Sequence, residues 1–406
     1  MSESSFELMK QEPFGPIGII AHTANLDFVR MVSDVLYSKR LKRIENKANQ
    51  FVNSPGYLRK NYILASDLSR FQTGEGKFSL GESARGHDIY IITDVMASKN
   101  LFDLNGNLHV SSADDHCRDL LRIISTCAGK ARRINVIMPF VYEGVQVRKR
   151  ESSQESLDCA QLLKELTYLG VSNLIIFDPH DERIANAVPL LGIETPRSAF
   201  KIISTLLSKH NTIKLDKDST LVVSPDETGI GRAIFYSSML NLPLGIFYRY
   251  RDYTEMQGDG LAPIKEYKFL GDDVNGKDIL LIDDIIHSGY TMLLTAKILK
   301  DAGARDIYCL APFGLFDADN TLEKFDKAYE SGVIKAVFCT NLIYSRPELS
   351  QREWFSEVNM TPYVARIIDG LNVDESVGDL INSTTKITEF LEQVRIGEYF
   401  DDVGKK

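Results

Sequence analysis

The stretch Lys277-Asp-Ile-Leu-Leu-Ile-Asp-Asp-Ile-Ile-His-Ser-Gly-Tyr-Thr291 decides the fold of this chain. Its apolar run, Ile279 to Ile282, predicts a strand that is buried on both faces of a parallel sheet. Two adjacent carboxylates, Asp283 and Asp284, end the run, and a short polar loop follows. The next residues are apolar at helical spacing as far as Gly303, which predicts a helix closed by a glycine. Strand, polar loop and helix in this order indicate an α/β domain that binds a ligand at the carboxyl end of the strand.

The polar loop combines the groups that bind a phosphorylated sugar. Backbone N–H groups at the start of a helix attract phosphate, and Ser288 and Thr291 add hydroxyl groups. Gly289 lets a ligand approach the backbone closely. The paired carboxylates suit ribose hydroxyls, either directly or through a magnesium ion. The alternative is an ordinary surface turn in which the acids only cap the helix.

Length and composition indicate a globular protein of two domains. The chain has 406 residues, of which 44% are hydrophobic and 25% charged, and this length exceeds one ordinary core. A net charge of −9 argues against a general nucleic-acid binder. No run approaches the roughly 20 apolar residues of a membrane span, and the first residues lack an apolar signal core. We therefore expect a cytoplasmic protein with no membrane partner. Its five scattered cysteines predict buried free thiols.

Apolar strands alternate with helical segments twice along the chain. The predicted strands are Pro16–Ala21, a strand beginning at Ile63, Asp88–Thr93, Arg133–Pro139, Asn173–Asp178, Thr220–Ser224, Leu244–Tyr248, Ile279–Ile282, Asp306–Pro312 and Lys335–Thr340. This alternation predicts an α/β fold of two tandem, doubly wound parallel-sheet domains. We place the first domain at residues 1–190 and the second at 191–345, with helices and a charged tail at 346–406.

Six short motifs occur in an order typical of one enzyme family. They are Phe71-Gln-Thr-Gly-Glu75, Ala84-Arg-Gly86, Val136-Ile-Met-Pro-Phe140, Phe177-Asp-Pro-His180, Pro225-Asp-Glu-Thr-Gly-Ile-Gly-Arg-Ala233 and Ile282-Asp-Asp-Ile-Ile286. Over roughly residues 16 to 375 the chain resembles ribose-phosphate diphosphokinase, above all the long bacterial form. The resemblance implies two domains similar to type I phosphoribosyltransferases. It also implies transfer of the β,γ-diphosphoryl group of ATP to ribose 5-phosphate, giving phosphoribosyl pyrophosphate (PRPP) and AMP.

The resemblance assigns ribose 5-phosphate to the opening stretch. Ser288, Gly289 and Thr291 would hold the 5-phosphate, and Asp283 and Asp284 would take the ribose hydroxyls.

In that loop the chain departs from the family sequence Asp-Thr-Gly-Gly-Thr at two positions, His287 and Tyr290. Tyr290 adds bulk where a phosphate approaches, and the alternative for His287 is a solvated loop histidine.

The resemblance also implies a magnesium ion that accompanies ATP. His180 matches the family position that meets magnesium-ATP, and Asp226 is the second metal candidate. The alternative for His180 is a hydrogen-bonded structural residue. For the segment around Asp226, the alternative to a metal site is an ordinary turn formed by the glycines that follow.

ATP contacts are implied at two further places. Phe71 and Glu75 match a stacking ring and an acceptor for the exocyclic amine in a loop that a neighbouring subunit donates to the adenine, so we expect a homo-oligomer or mixed assembly with a paralogue. Thr73, in the same loop, stands where the family usually has Asp or Asn. The alternative for Phe71 is a core aromatic. Gln146 and Arg148 lie in the segment that matches the ATP-binding loop, where Arg148 is otherwise part of a solvated charge run.

Two further positions depart from the family in the catalytic machinery. Val145 stands where the family has an arginine in the ATP loop. Arg249 replaces the catalytic lysine of a Lys-Arg-Arg run, whereas Arg251 keeps its second arginine. A guanidinium presents its donors differently from an ammonium.

Three functions remain open at this point. The first is an active diphosphokinase that uses magnesium, ATP and ribose 5-phosphate. The second is a non-catalytic regulatory paralogue that kept nucleotide or sugar-phosphate binding. The third, a phosphoribosyltransferase that consumes PRPP, would need only one such domain, so the amino-terminal half distinguishes it from the first.

Overall fold

The computed structural model describes residues 12–22, 26–45, 54–97, 101–104, 106–145, 154, 156–251 and 264–395. The chain forms two compact units, each assembled from three segments. Residues 1–197, 342–344 and 360–382 make the N-terminal unit, and residues 198–341, 345–359 and 383–406 make the C-terminal unit.

The N-terminal unit is built on a five-stranded sheet. Its strands are β1 (Ile17–Ala21), β2 (Ser66–Arg70), β3 (Gly76–Leu80), β4 (Asp88–Ile92), β5 (Leu101–Leu104), β6 (Asn107–Val110), β7 (Arg133–Ile137), β8 (Asn173–Ile175) and β9 (Gly192–Glu194). Its first three helices are α1 (Leu26–Glu45), α2 (Ala113–Cys127) and α3 (Asp158–Tyr168), and Glu182–Ala187 forms a 3-10 helix. The sheet order is β1-β4-β7-β8-β9, and every pair in it is parallel. The pairs β2–β3 and β5–β6 form separate antiparallel hairpins.

The C-terminal unit contains a seven-stranded sheet. Its strands are β10 (Thr220–Ser224), β11 (Leu244–Arg251), β12 (Ile264–Leu270), β13 (Asp278–Ile282), β14 (Ile285–Ile286), β15 (Ile307–Ala311), β16 (Phe313–Gly314), β17 (Ala336–Thr340) and β18 (Phe355–Val358). Its helices are α4 (Ala199–Lys209), α5 (Ile230–Leu240), α6 (Tyr290–Asp301) and α7 (Thr321–Glu330), and Pro347–Gln351 forms a 3-10 helix. The sheet order is β12-β11-β10-β13-β15-β17-β18.

The prediction of two parallel sheets with alternating helices is confirmed. In the C-terminal sheet all neighbours are parallel except β11 and β12, which form an antiparallel edge. All five residues of β13 are buried, as the continuous apolar run predicts for a central strand. Asp283 and Asp284 follow β13 at its carboxyl end. They therefore lie near the middle of the sheet edge at which α/β domains bind their ligands.

The residues after Asn341 are shared between the two units. Three helices follow β18: α8 (Thr361–Asn372), α9 (Gly378–Ile381) and α10 (Thr384–Arg395). Helices α8 and α9 belong to the N-terminal unit, whereas β18 and α10 belong to the C-terminal unit. The segment that the sequence placed as a C-terminal addition thus completes both units.

Buried ion pairs fasten α8 to α1. Arg40 and Asp369 are fully buried and joined by a hydrogen bond of 2.9 Å from Nε to Oδ1. Lys39 Nζ and Arg43 Nη2 lie 2.8 and 2.9 Å from Asp369 Oδ2. Although the residues after position 38 are rich in charge, α1 continues to Glu45, because this carboxylate stabilises the charged last turns of the helix.

All five cysteines are buried free thiols, which confirms that prediction. No helix in the described part of the chain is long and apolar enough to cross a membrane.

Candidate active site

The carboxyl end of β13 carries the two adjacent carboxylates, Asp283 and Asp284. The N–H of Asp283 donates to the carbonyl of Leu310 at 3.0 Å, which continues the ladder with β15. The N–H of Asp284 turns back and donates to Asp283 Oδ1 at 2.9 Å. Both residues are half-buried, so the backbone fixes the two acids side by side where the strand ends.

Asp283 is held in an environment that disfavours its negative charge. Burial, followed by repulsion from Asp284 and Asp226, raises the pKa of Asp283 well above its ordinary value. Two like charges in one half-buried site raise a pKa in this way. The pair is therefore suited to a cation or to ligand hydroxyl groups, either of which offsets the repulsion.

We expect Asp283→Asn to stabilise the ligand-free protein by about 1 kcal/mol at neutral pH, as removal of a strained functional charge commonly does. With a raised folded-state pKa, Asp283 contributes stability below the unfolded-state pKa of about 3.9, and this stability is lost as pH rises through the folded-state pKa. The difference between variant and wild type should therefore be present at pH 8 and vanish below about pH 4. Urea unfolding at both pH values measures it.

Asp272→Asn provides the matched control for this prediction. Asp272 is an exposed acid of the same unit, so its replacement changes the net charge equally without touching the pair. If Asp283→Asn raises the free energy of unfolding at pH 8 by no more than the control does, the negative charge of Asp283 does not destabilise the folded protein.

The start of α6 forms the second part of the site. Its N-cap residue, Gly289, adopts a left-handed conformation with φ of +67° and provides no side-chain cap. A Cβ at this position would lie 2.2 Å from a ring carbon of Phe325. Only glycine fits here, and because Gly289 has no side chain, the N-cap residue itself does not cover the phosphate-attracting end of α6.

The remaining loop residues are arranged around this helix start. Ser288 Oγ accepts the N–H of Tyr290 at 3.3 Å. Tyr290 is 66% exposed, so most of its ring lies in solvent. His287 Nε2 lies 3.0 Å from Asp317 Oδ1, and its exposed side chain agrees with the solvated alternative. Thr291 is half-buried in the first turn of the helix.

Asp226 organises the loop between β10 and α5. Its Oδ1 accepts the N–H of Thr228 at 2.9 Å, the hydroxyl of Thr228 at 2.5 Å and the N–H of Gly229 at 3.2 Å. Asp226 Oδ1 thus stabilises a turn, as the alternative to metal binding predicts. A Cβ on Gly229 would lie 4.0 Å from Asp283 Oδ1, so this loop and the β13 carboxylates occupy the same sheet edge.

Arg249 lies in β11 with its guanidinium directed at the same loop. Its Nη2 is 3.4 Å from Asp226 Oδ2. Its backbone N–H and Nε donate to the two oxygens of Glu227 at 2.7 and 3.1 Å. Glu227 lies inside a recognised motif, but its role is not visible in the sequence, because only the register of β10 and β11 brings it to Arg249.

The adenine candidates lie in the N-terminal unit, in the turn of the β2–β3 hairpin. Phe71 is 53% exposed, so the alternative of a core aromatic is wrong. The N–H of Phe71 donates to the carbonyl of Glu75 at 2.8 Å, which closes the turn. Thr73 Oγ1 donates to Glu75 Oε2 at 2.8 Å. The turn therefore presents an aromatic face and a carboxylate at the end of a hairpin.

His180 also belongs to the N-terminal unit, a short way past β8. It is half-buried and follows Asp178, a buried residue with φ of +42°. Next to it, hydrogen bonds from Arg183 lower the pKa of Asp181 to about 2. An imidazole nitrogen is an unusual ligand for Mg²⁺, which prefers oxygen.

Some predicted contacts lie beyond what the structure describes. Gln146 and Arg148 are outside the described residues. Arg251 is the last residue of β11, and its side chain lies outside the described part of the chain. Val145, which is described, is 58% exposed.

The described residues contain no group of three or more His, Cys, Asp or Glu side chains placed to hold a metal ion. Mg²⁺ does not require such a group, since it is usually bound by one or two carboxylates, substrate phosphates and water. The donor set at the β13 edge fits this pattern. Asp283 and Asp284 offer adjacent oxygens, and Asp226 has one oxygen that the loop does not use.

Two α/β units with parallel sheets, one of them with an acidic pair leading into a helix, define a protein with type I phosphoribosyltransferase domains. Residues 18–170 match the family model for the N-terminal domain of ribose phosphate pyrophosphokinase, and residues 193–347 match that for a phosphoribosyl transferase domain. The chain belongs to the ribose-phosphate pyrophosphokinase family.

Named relatives agree with this family. A ribose-phosphate pyrophosphokinase of Staphylococcus saprophyticus is 26% identical over 323 residues, which cover 78% of this chain and 88% of the relative. One from Mycoplasma pneumoniae is 25% identical over 300 residues, covering 74% and 82%. The crystal structure of phosphoribosylpyrophosphate synthetase from Mycobacterium smegmatis matches with a TM-score of 0.66 and 19% identity. It covers 88% of this chain and 98% of that one, and at this identity the match shows the fold.

Proposed function

We propose that this chain is a ribose-phosphate diphosphokinase, which transfers the diphosphoryl group of ATP to ribose 5-phosphate and gives PRPP and AMP. The observation that carries the proposal is the β13 edge. There an acidic pair, a helix start and the arginine of β11 belong to one unit. The match of residues 18–170 supports this function over that of a phosphoribosyltransferase that consumes PRPP.

In this proposal each group at the edge has one task. The N–H groups and hydroxyls from Ser288 to Thr291 hold the 5-phosphate, because a helix start attracts anions. Asp283 and Asp284 accept hydrogen bonds from the ribose hydroxyls and so orient the attacking anomeric oxygen. Arg249 offsets the negative charge that spreads over the transferring phosphate oxygens.

A bound magnesium ion would supply positive charge that offsets the negative charge of the ATP phosphates. Asp226 Oδ2, Asp283 and Asp284 are the carboxylates of this edge that would hold it. His180, in the N-terminal unit, is the further candidate for magnesium-ATP, and the Phe71 ring would stack on adenine that is bound to a second copy of the chain.

A second function, that of a non-catalytic regulatory paralogue, is favoured by one observation. Arg249, which replaces the catalytic lysine, is engaged by Glu227 and Asp226, and Val145 replaces another cation of the family. Such a protein would bind nucleotide or sugar phosphate in the same fold without turning it over.

We expect Arg249→Lys to raise the rate of PRPP formation and Arg249→Ala to lower it on the order of a hundredfold, since one lost charge-stabilising donor has this effect. An ammonium concentrates charge at one point, whereas the guanidinium spreads it over a fork. Purified protein is incubated with magnesium, ATP and ribose 5-phosphate, and AMP and PRPP are assayed. Val145→Arg combined with Arg249→Lys restores both cations together.

Arg305→Ala serves as the control, because Arg305 pairs with Asp278 at the opposite end of β13. Equal turnover by wild type and Arg249→Ala would remove Arg249 from catalysis. If every variant binds ATP and none forms PRPP, the result would support the non-catalytic regulatory paralogue over the diphosphokinase.

A further inference from the structure

Glu227 makes an unusual double contact with a single residue. One carboxylate oxygen accepts the backbone N–H of Arg249 at 2.7 Å, and the other accepts the guanidinium Nε of the same residue at 3.1 Å. The carboxylate therefore fixes both the strand position and the side-chain direction of Arg249.

The end of β10 explains why a side chain makes this contact. The pairing of β10 with β11 ends at Ser224, opposite Ile246, whereas β11 continues to Arg251. Beyond that point β11 has no β10 backbone on this side. Glu227, three residues after the end of β10, supplies the acceptor for the N–H of Arg249, which a neighbouring strand would otherwise provide.

Among the residues that the structure describes, the charged groups in contact with the Arg249 guanidinium are two carboxylates. Asp226 Oδ2 is 3.4 Å from Nη2, so two carboxylates face one guanidinium. With Glu227 and Asp226 both in contact with its guanidinium, the cation that the site offers to a phosphate group is already paired.

A phosphate oxygen and these carboxylates require the same guanidinium donors. A guanidinium has five N–H donors in a fixed planar fork, of which Nε is bound by Glu227 and Nη2 faces Asp226. We propose that Glu227 is a positioning residue that competes with an incoming di- or triphosphate for Arg249 and so sets the affinity of this site for polyphosphate. The proposal rests on the proposed function only in taking a phosphate chain as the ligand.

The Glu227→Gln variant distinguishes competition between Glu227 and phosphate for Arg249 from a bracing role, in which Glu227 only holds Arg249 in position. The amide oxygen of the glutamine still accepts the N–H of Arg249, but the substitution removes the negative charge that competes with phosphate. Competition predicts that Glu227→Gln binds inorganic pyrophosphate about fivefold to tenfold more tightly than wild type, because charge-assisted contacts to Arg249 become available. A bracing role predicts equal or weaker binding, since Arg249 would lose part of its support.

The measurement is calorimetric titration of the full chain with inorganic pyrophosphate at constant magnesium concentration. Glu227→Asp keeps the charge and should retain an affinity near that of wild type. Glu330→Gln, which removes an exposed glutamate from the end of α7, is the control for net charge. Thermal unfolding of each variant verifies that it is folded.

The outcomes distinguish this proposal from the proposed function. Tighter binding by Glu227→Gln alone supports competition. Equal or weaker binding by Glu227→Gln, with pyrophosphate still bound by wild type, overturns the role of Glu227 and leaves the proposed function intact. Absence of binding in wild type and every variant overturns both.

Discussion

Replacing Asp369 with asparagine should lower the free energy of unfolding by about 3–5 kcal/mol, the effect of breaking a buried ion pair from one side. Three cations, Lys39, Arg40 and Arg43, contact this carboxylate. The guanidinium of Arg40 also donates to the carbonyl of Tyr57 at 2.8 Å and stacks on its ring at 4.2 Å. Arg40 therefore cannot move to solvent when its counter-charge is removed, and the buried cation remains uncompensated.

Urea unfolding compares this variant with Asp374→Asn. Asp374 lies just beyond the same helix and pairs with Arg133 at 2.8 Å, but its side chain is 59% exposed. An exposed pair contributes at most about 1 kcal/mol, so the two variants should differ clearly. Equal losses in both would show that the Asp369 network does not stabilise the protein as its burial implies.

Acid should diminish the difference between wild type and Asp369→Asn. Although burial raises it, the charges of Arg40, Lys39 and Arg43 bring the pKa of Asp369 below its ordinary value. A lowered folded-state pKa contributes stability above the unfolded-state pKa, and this is lost as pH falls through the folded-state value. Unfolding measured from pH 7 downward follows this loss.

Gly289→Ala should cost about 3 kcal/mol of stability and prevent phosphate binding at α6. About 1 kcal/mol comes from forcing an L-residue into the left-handed conformation, and the remainder from a core clash of the kind that costs about 1–3 kcal/mol. The ring of Phe325, 2.2 Å from the new Cβ, is fully buried and stacked on Trp354 with ring centroids 5.2 Å apart. It has little room to withdraw.

The Gly276→Ala variant measures the cost of the left-handed conformation alone, without a clash such as that between a Cβ at position 289 and Phe325. Gly276 has φ of +73°, but a Cβ there would meet nothing within 4 Å. We expect it to cost only about 1 kcal/mol and to leave sulfate or phosphate binding unchanged. Urea unfolding and anion titration of both variants provide the comparison. A Gly289→Ala protein no less stable than Gly276→Ala would show that the Phe325 ring yields.

The sequence predicted the central strands because their signal is local. A strand such as β13 is apolar along its whole length, and this pattern follows from burial on both faces. The acidic pair and the glycine after it were recognised for the same reason, since strand, loop and helix are adjacent in the chain.

Features that depend on distant partners were not predicted. The antiparallel edge strand β12 and the extension of α1 to Glu45 are determined by pairing across the unit. Glu227 meets Arg249 only through the register of two strands, 22 positions apart in the sequence. A local pattern carries no record of such contacts, so the sequence alone assigns no role to Glu227.

The division of the chain after Asn341 has a consequence for protein synthesis. The N-terminal unit needs residues 360–382, and Arg40 meets its counter-charge only when Asp369 has left the ribosome. Domains usually fold one after another as they emerge, but here the first unit has to wait until the second has been translated. A fragment ending at residue 341 should therefore fail to fold in either half, because it lacks residues 360–382 of the N-terminal unit and residues 345–359 of the C-terminal unit.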